Sequence, residues 1–173
     1  MSTPTILTRR QALSRGLVCA GAVFSSRLVP GVARAAAGDR DLTILNAALY
    51  LEHEAIAAYT AGAASGLLPP DVLAVAAAFM DDHKYHRDGI AGVLTSLGQS
   101  PAGPRPSYSF GRLNTATDIL NLALRLEQGA ATAYRTLASS VENKTVLTFA
   151  AHVMVDEVRH STVLRDVLGL RNY

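Results

Sequence analysis

Apolar and polar residues follow a helical spacing over four long stretches of the chain, and glycine and proline cluster between them. The predicted helices cover residues 42–64, 71–97, 116–139 and 144–168. Asp39 or Asp41 is the candidate N-cap of the first helix, and Asn114 or Thr115 that of the third. No stretch has the alternation typical of a strand, so the sequence indicates an all-α protein.

The connections between these helices differ in length. Those that join the first helix to the second and the third to the fourth are short, which makes each pair an antiparallel hairpin. Residues 98–113 contain three prolines and three glycines and cannot be helical. This segment is long enough to run the length of a bundle. The pattern therefore predicts a four-helix bundle of two hairpins with one long crossover between helices 2 and 3.

The two predicted hairpins repeat one another. Matched polar positions, offset by 74 or 75 residues, are Glu52 and Glu127, Tyr59 and Tyr134, Asp82 and Asp156, and His86 and His160. Agreement at all four polar pairs indicates an internal duplication rather than a chance match of alanine-rich helices. We therefore expect the two halves to fold about an approximate two-fold axis.

Such an axis would bring polar side chains of both halves together at the bundle centre. One glutamate comes from each odd-numbered helix, and each even-numbered helix adds a pair spaced i, i+3 on one face. Buried carboxylates must be paired or metal-bound, so these side chains are candidate metal ligands. The six candidates are Glu52, His83, His86, Glu127, Glu157 and His160. The alternative is a set of surface residues with no metal.

Two tyrosines accompany the candidate ligands. Tyr59 and Tyr134 each follow a glutamate by seven residues, two turns along the same helix face. They are candidate catalytic residues that line the site, donating hydrogen bonds or an electron during oxidation. The alternative is a pair of core aromatic residues with satisfied hydroxyl groups.

The segment Asp156-Glu157-Val158-Arg159-His160 resembles the second ligand motif of ferritin-like di-iron proteins, such as the soluble desaturases and bacterial multicomponent monooxygenases. The Glu-x6-Tyr spacing is similar to that of bacterioferritin and rubrerythrin helices. The resemblance covers residues 42–169 and implies a ferritin-like four-helix bundle. It also implies that Glu157, His160 and His86 are ligands, with Glu52 and Glu127 as terminal or bridging carboxylates.

The resemblance extends to residues around the ligands, and it has one departure. Asp156, and Asp82 by symmetry, resemble the outer carboxylates that orient ligand histidines, with Arg159 as their partner. His83 stands where the family pattern has glutamate. The loss of one anion disfavours the oxidised state of a two-iron site. The implied cofactor is a pair of divalent metal ions. Iron is the first candidate, and manganese, zinc and copper are the alternatives.

The implied function is that of an exported metalloprotein that oxidises Fe(II) or reduces oxygen or peroxide, which would make it a di-metal oxidoreductase. Its partners would be metal ions and small oxygen species, and a homodimer remains an option. Two alternatives stay open. One is a bundle that binds or sequesters metal without turnover, and the other is a metal-free structural or interaction bundle.

Residues 1–37 have the features of a twin-arginine signal peptide. Arg9 and Arg10 precede an apolar run at 17–24, and cleavage after Ala35 or Ala37 would follow a small-residue stretch. The segment holds five arginines and no acidic residue, so the chain's charge of +2 becomes −3 for residues 38–173, the predicted bundle domain. This negative net charge disfavours nucleic acid as a binding partner. The twin-arginine translocase is the implied export partner, and a periplasmic or secreted location is expected.

Overall fold

The computed structural model describes residues 39–170, and within them the chain forms four α-helices and no β-strand. The helices are α1 (Asp39–Ala64), α2 (Pro70–Ser96), α3 (Ala116–Ala138) and α4 (Lys144–Val167). The predicted all-α four-helix bundle is confirmed. The predicted signal segment, residues 1–37, lies outside the described residues.

The long crossover between α2 and α3 lies along the outer side of α1. Ala102 receives a hydrogen bond at its carbonyl from His53 Nε2 at 3.1 Å, and its own N–H donates to Asn46 Oδ1 at 3.4 Å. Arg105 lies over the ring of Tyr50, 5.7 Å from its centroid. Asn46, Tyr50 and His53 share one helix face, so the crossover follows α1 over about two turns.

Helices α2 and α4 end with the same backbone motif. Gly98 and Gly169 adopt φ values of 75° and 70°, the left-handed region that favours glycine. After Gly98, the N–H of Gln99 donates to the carbonyl of Leu94 at 3.0 Å. After Gly169, the N–H of Leu170 donates in the same way to Arg165 at 2.8 Å. Equivalent endings on the second helix of each hairpin agree with the predicted duplication.

The predicted N-cap of α3 is confirmed, whereas one of the two candidates for α1, Asp41, is wrong. Thr115 caps α3, and its side chain and that of Asp118 each accept from the other residue's N–H. Asp41 is not the cap of α1, because it lies inside the described helix, Asp39–Ala64. Asp41 is buried and instead accepts from the N–H groups of Glu142 and Asn143, at 3.4 and 3.2 Å. It thereby ties α1 to the turn between α3 and α4.

The bundle core consists of two apolar clusters. One contains Leu49 of α1, Leu94 of α2 and Val146 of α4, together with Leu137 of α3. The other is built around Phe79 and includes residues from all four helices. On every helix, the candidate ligands lie between residues of one cluster and residues of the other. The polar layer is therefore covered by an apolar layer on each side. None of the four described helices is both long and apolar enough to span a membrane.

Candidate metal centre

All six predicted ligands are brought together and buried between the two apolar clusters. Each of the six residues is at most 1% exposed. Glu52 lies on α1 and Glu127 on α3, while the histidine pair lies on α2 and the Glu157–His160 pair on α4. Burying three carboxylates in an apolar core is costly unless cations compensate them. The arrangement is therefore a candidate metal centre.

The six side chains form two overlapping ligand sets. We call Glu52, His83, His86 and Glu157 the His86 site, and His83, Glu127, Glu157 and His160 the His160 site. In each set, one nitrogen or oxygen from every residue lies within 4.8 Å of the others. Each set offers two imidazoles and two carboxylates. His83 and Glu157 belong to both sets.

His83 lies between the two odd-numbered helices and reaches the glutamates of both. Its Nδ1 donates to Glu52 Oε2 at 2.9 Å, and its Nε2 donates to Glu127 Oε1 at 3.2 Å. Burial alone would lower the pKa of His83, but hydrogen bonds to Glu127 and Glu52 outweigh it and raise the pKa to about 10. Without metal, His83 is therefore an imidazolium that joins the two halves.

The other two histidines point one nitrogen into the centre and the other outward to an aspartate. His86 Nε2 donates to Asp156 Oδ2 at 3.3 Å, and His160 Nε2 donates to Asp82 Oδ2 at 3.0 Å. Each aspartate thus orients the histidine of the opposite hairpin. Arg159 reaches both aspartates, with Nη2 2.9 Å from Asp82 Oδ2 and 3.2 Å from Asp156 Oδ1. This is the outer arrangement that the resemblance implied for Asp82, Asp156 and Arg159.

The tyrosines also pair across the two halves. Tyr59 of α1 donates its hydroxyl hydrogen to Glu127 Oε1 of α3, and Tyr134 of α3 donates to Glu52 Oε1 of α1. Burial, followed by the charge of the adjacent glutamate, raises the pKa of both tyrosines well above the usual value. Both hydroxyl groups therefore keep their protons. The tyrosines contact candidate ligands directly, as expected if they line the site.

Three polar atoms in the centre are buried without a hydrogen-bond partner among the described residues: His86 Nδ1 and both carboxylate oxygens of Glu157. His86 Nδ1 lies 3.3 Å from Glu157 Oε1 and 3.7 Å from Glu52 Oε2, without the alignment of a hydrogen bond. Unsatisfied buried polar atoms are rare in proteins and require an explanation. A cation shared by these atoms would satisfy all three.

The three glutamates differ in their protonation. Burial raises the pKa of Glu157 to about 8. At Glu52 burial acts in the same direction, but the hydrogen bond of His83 and the positive charges of the adjacent His83 and His86 rings prevail and lower the pKa to about 2. At Glu127 the hydrogen bonds of His160 and His83 likewise overcome burial and lower the pKa well below the usual value. Of the three glutamates, Glu157 is therefore the one whose negative charge is stabilised least by the metal-free protein.

Phe79 is a site neighbour that the sequence analysis did not identify. Its ring stacks on that of His160, with centroids 4.0 Å apart and an angle of 24° between the planes. The available signal was its position one helical turn before His83, on the same face of α2. Phe79 and Tyr59 also line an apolar cavity of about 20 Å³, whose wall includes Gly62 and Leu164.

Comparisons with known proteins agree with this architecture. A family model described as a ferritin-like domain matches residues 40–170. A conserved hypothetical protein from Mycobacterium tuberculosis has 28% identity and a TM-score of 0.72, and the match covers 79% of this chain and 95% of that one. A search of curated proteins finds no match.

Two further solved structures have a similar fold. A dodecameric thioferritin, the bacterioferritin-related protein from Bacteroides fragilis, is 25% identical with a TM-score of 0.67, covering 75% of this chain and 84% of its own. Ferritin-like, diiron-carboxylate proteins from Bacillus anthracis share 20% identity with this chain, with a TM-score of 0.67. The match covers 74% of this chain and 94% of that one. The last similarity, at this level of identity, establishes the fold alone.

Proposed function

The chain belongs to the ferritin-like domain family. On that premise we propose that it is a metalloprotein with a dinuclear centre, for which iron is the first candidate metal. In this proposal it oxidises Fe(II) with oxygen or peroxide. The observation that carries the proposal is the group of unpartnered atoms, His86 Nδ1 and the Glu157 oxygens, buried among further carboxylates and imidazoles. The name thioferritin, given to the Bacteroides fragilis relative, makes iron the first metal to test.

The donor atoms fit divalent transition metals. Imidazole suits iron, zinc, copper and nickel, and carboxylates neutralise their charge, so the mixed set is compatible with iron. One ion would be held by the His86 site and the other by the His160 site, and bound metal would supply a redox couple and a Lewis acid for an oxygen species. Substrate Fe(II) would supply one electron per ion, so two Fe(II) ions and two protons would reduce one oxygen to hydrogen peroxide, or one hydrogen peroxide to two waters.

The surrounding residues hold the ligands and control protons. Asp156 and Asp82 fix the rings of His86 and His160 so that Nδ1 of each faces the centre. Tyr59 and Tyr134 hold protons at their hydroxyl oxygens and fix one oxygen of each glutamate. A role of these tyrosines as electron donors stays part of the proposal. Replacing each by phenylalanine and following Fe(II) oxidation would test it.

The apolar cavity beside Tyr59 and Phe79 supports oxygen as a reactant. Its volume of about 20 Å³ is enough for one small molecule, and its lining is almost entirely aliphatic and aromatic. An apolar molecule such as oxygen loses little by entering such a cavity, whereas water finds few hydrogen-bond partners there. The cavity therefore offers oxygen a position near the centre.

Export is proposed on the sequence alone. Arg9 and Arg10, the apolar run and the alanine stretch at 33–37 favour twin-arginine translocation to the periplasm or the medium. Export in the folded state would let the protein acquire its metal before it leaves the cytoplasm, where metal availability differs from that outside. A homodimer, which the sequence leaves as an option, would be tested by light scattering.

Oxygen uptake tests the proposed reaction. Metal-free full-length protein is loaded with Fe(II) without oxygen and then mixed with oxygenated buffer beside the Glu157→Gln variant. The wild type should consume oxygen and form Fe(III) faster than Fe(II) in buffer, and the variant should not. Bound iron without faster uptake would contradict the oxidase and favour the sequestering bundle. Absence of bound metal would leave the structural bundle.

A further inference from the structure

The internal duplication places an apolar pocket beside each of the two buried tyrosines, and the two pockets differ in size. The cavity beside Tyr59 has a volume of about 20 Å³, whereas a groove between α1 and α3, which Tyr134 helps to line, has a volume of about 330 Å³. Matched residues, 75 positions apart, line both: Ile44 and Ile119, Ala48 and Ala123, and Ala58 and Ala133. The groove and the cavity therefore occupy equivalent places in the two halves.

Two differences between the halves account for the difference in size. At Gly62 of α1 the helices approach so closely that an added Cβ would lie 2.8 Å from Ile119 Cγ2 of α3. The matched residue beside the groove is Leu137, whose side chain needs more space between the helices. Leu122 is buried against the cavity, and its match beside the groove is the exposed Ala47. Leucine at 122 thus fills one pocket, and alanine at 47 leaves the other open to solvent.

The groove has the size and lining of a binding site for a small organic molecule. Such sites measure about 300–1,000 Å³ and are mostly apolar with a few polar groups. None of the described residues that line the groove is charged, so it suits an uncharged ligand. Its polar groups include the hydroxyls of Thr136 and Ser140. The Thr136 hydroxyl donates to the carbonyl of Thr132 at 3.0 Å, so its oxygen can still accept a hydrogen bond from a ligand O–H group.

Tyr134 connects the groove to the candidate metal centre. It lines the groove, and its hydroxyl donates to Oε1 of Glu52, a residue of the His86 site. A ligand in the groove would therefore be separated from the centre by one side chain. A hydroquinone fits this position and this lining, because it is aromatic and uncharged, carries hydroxyl donors and is a reductant.

Building on the proposed function, we propose that the groove binds an uncharged hydroquinone and that Tyr134 passes its electrons to the oxidised centre. One hydroquinone loses two electrons and two protons and becomes a quinone. The electrons reduce two Fe(III) ions, which the proposed oxidation of Fe(II) produces, back to Fe(II). The two protons pass to solvent. The hydroquinone is thus the electron donor that returns the centre to its reduced state.

Calorimetric titration of the metal-free full-length chain with tetramethylhydroquinone, in the absence of oxygen, tests the groove itself. The wild type should bind this probe. Ala47→Leu, which introduces the leucine found at the matched position 122, should weaken binding by about tenfold or more because it fills the groove. Ala77→Leu adds the same side chain at an exposed position of α2 and should bind like the wild type. If circular dichroism shows that Ala47→Leu unfolds, Thr136→Leu fills the groove from α3 instead.

Reduction of bound iron tests the role of Tyr134. The full-length chain is loaded with Fe(II), oxidised, freed of oxygen and mixed with tetramethylhydroquinone, and the Fe(II) that forms is trapped by bipyridine. The wild type should form Fe(II) at a rate that saturates with the probe concentration. Tyr134→Phe should lower the limiting rate by about tenfold while the half-saturating concentration stays the same. Tyr85→Phe, which changes an exposed tyrosine of α2, should match the wild type.

The outcomes separate this inference from the proposed function. No binding of the probe, or equal binding by Ala47→Leu and Ala77→Leu, would overturn the groove as a site, while Fe(II) oxidation is measured by oxygen uptake without any hydroquinone. Binding without reduction of iron, or a rate that Tyr134→Phe leaves unchanged, would overturn the electron route. A wild type that binds no iron would overturn the proposed function and the reductant role together.

Discussion

His83 and Glu157 occupy matched positions in the two halves of the bundle and lie face to face at its centre, with His83 Nδ1 3.8 Å from Glu157 Oε1. The duplication would place the same residue type at both positions, and the imidazole breaks that symmetry. A carboxylate can offer one oxygen to each of two ions, whereas a neutral imidazole binds only one. The asymmetry of the centre therefore follows from this one pair.

Restoring the carboxylate should make the two metal positions nearly equal. In His83→Glu, each ion gains an oxygen ligand and the centre gains a negative charge, so we expect a Co²⁺ titration of the metal-free variant to show two ions bound with similar affinity. The oxidised state should also be retained longer after exposure to oxygen. Titration beside His83→Gln, which keeps the residue neutral, checks the prediction. An unchanged affinity ratio in His83→Glu would contradict it.

Removing one tyrosine hydroxyl should destabilise the metal-free protein. Tyr134→Phe leaves Glu52 Oε1 buried without its donor, and this costs about 1–3 kcal/mol of unfolding free energy. Urea unfolding in the presence of a chelator measures the loss. Tyr85→Phe is the control, because Tyr85 is 58% exposed and its change should stay within about 0.5 kcal/mol. Equal stability of the two variants would show that the Tyr134–Glu52 hydrogen bond contributes nothing.

The metal-free protein should lose stability in alkaline solution. Burial acts to lower the pKa values of His83 and His86, but hydrogen bonds to the surrounding carboxylates outweigh it and raise them to about 10 and about 11. A raised histidine pKa adds stability that is complete below the unfolded value of 6.5 and disappears as the pH rises through the folded value. Burial raises the pKa of Glu157 to about 8, so its contribution to stability is likewise lost as the pH rises from 4.5 to 8.

Glu52 and Glu127, whose pKa values are both lowered, set the acid side of this profile. The pKa of Glu52, lowered to about 2, gives stability that is present above pH 4.5 and lost as the pH falls through about 2. Thermal unfolding with chelator should therefore show a maximum near pH 4.5–6.5 and a decline towards pH 10. A melting temperature that rises from pH 6 to pH 10 would contradict these charge states.

Export should depend on the paired arginines. Replacing Arg9 and Arg10 with lysine keeps the charge but changes the motif, so the chain should remain unprocessed in the cytoplasm of a host with a twin-arginine translocase. Cell fractionation and immunoblotting measure the distribution, with Arg15→Lys as the control. Equal periplasmic amounts of the double variant and the wild type would refute this route.

The sequence predicted which residues share a face, but not which partner each one meets across the bundle. Helical spacing and the duplication were enough to identify the glutamates and histidines of the centre, because ligands on one face converge when two hairpins pack about an axis. Contacts between the hairpins depend on how far each helix is shifted along its axis relative to its neighbours. The spacing of residues within one helix does not define that shift. The pairing of Asp82 with His160, the stacking of Phe79 and the role of Asp41 therefore required the structure.

The metal content of the protein tests the central claim most directly. Metal-free full-length chain is equilibrated with Fe(II) in the absence of oxygen, dialysed, and analysed for iron beside Glu157→Gln, which alters a residue common to both sites. The account predicts that the wild type retains iron, up to two ions per chain, and that the variant retains much less. Equal retention by both proteins, or none by either, would contradict a metal centre built on these side chains.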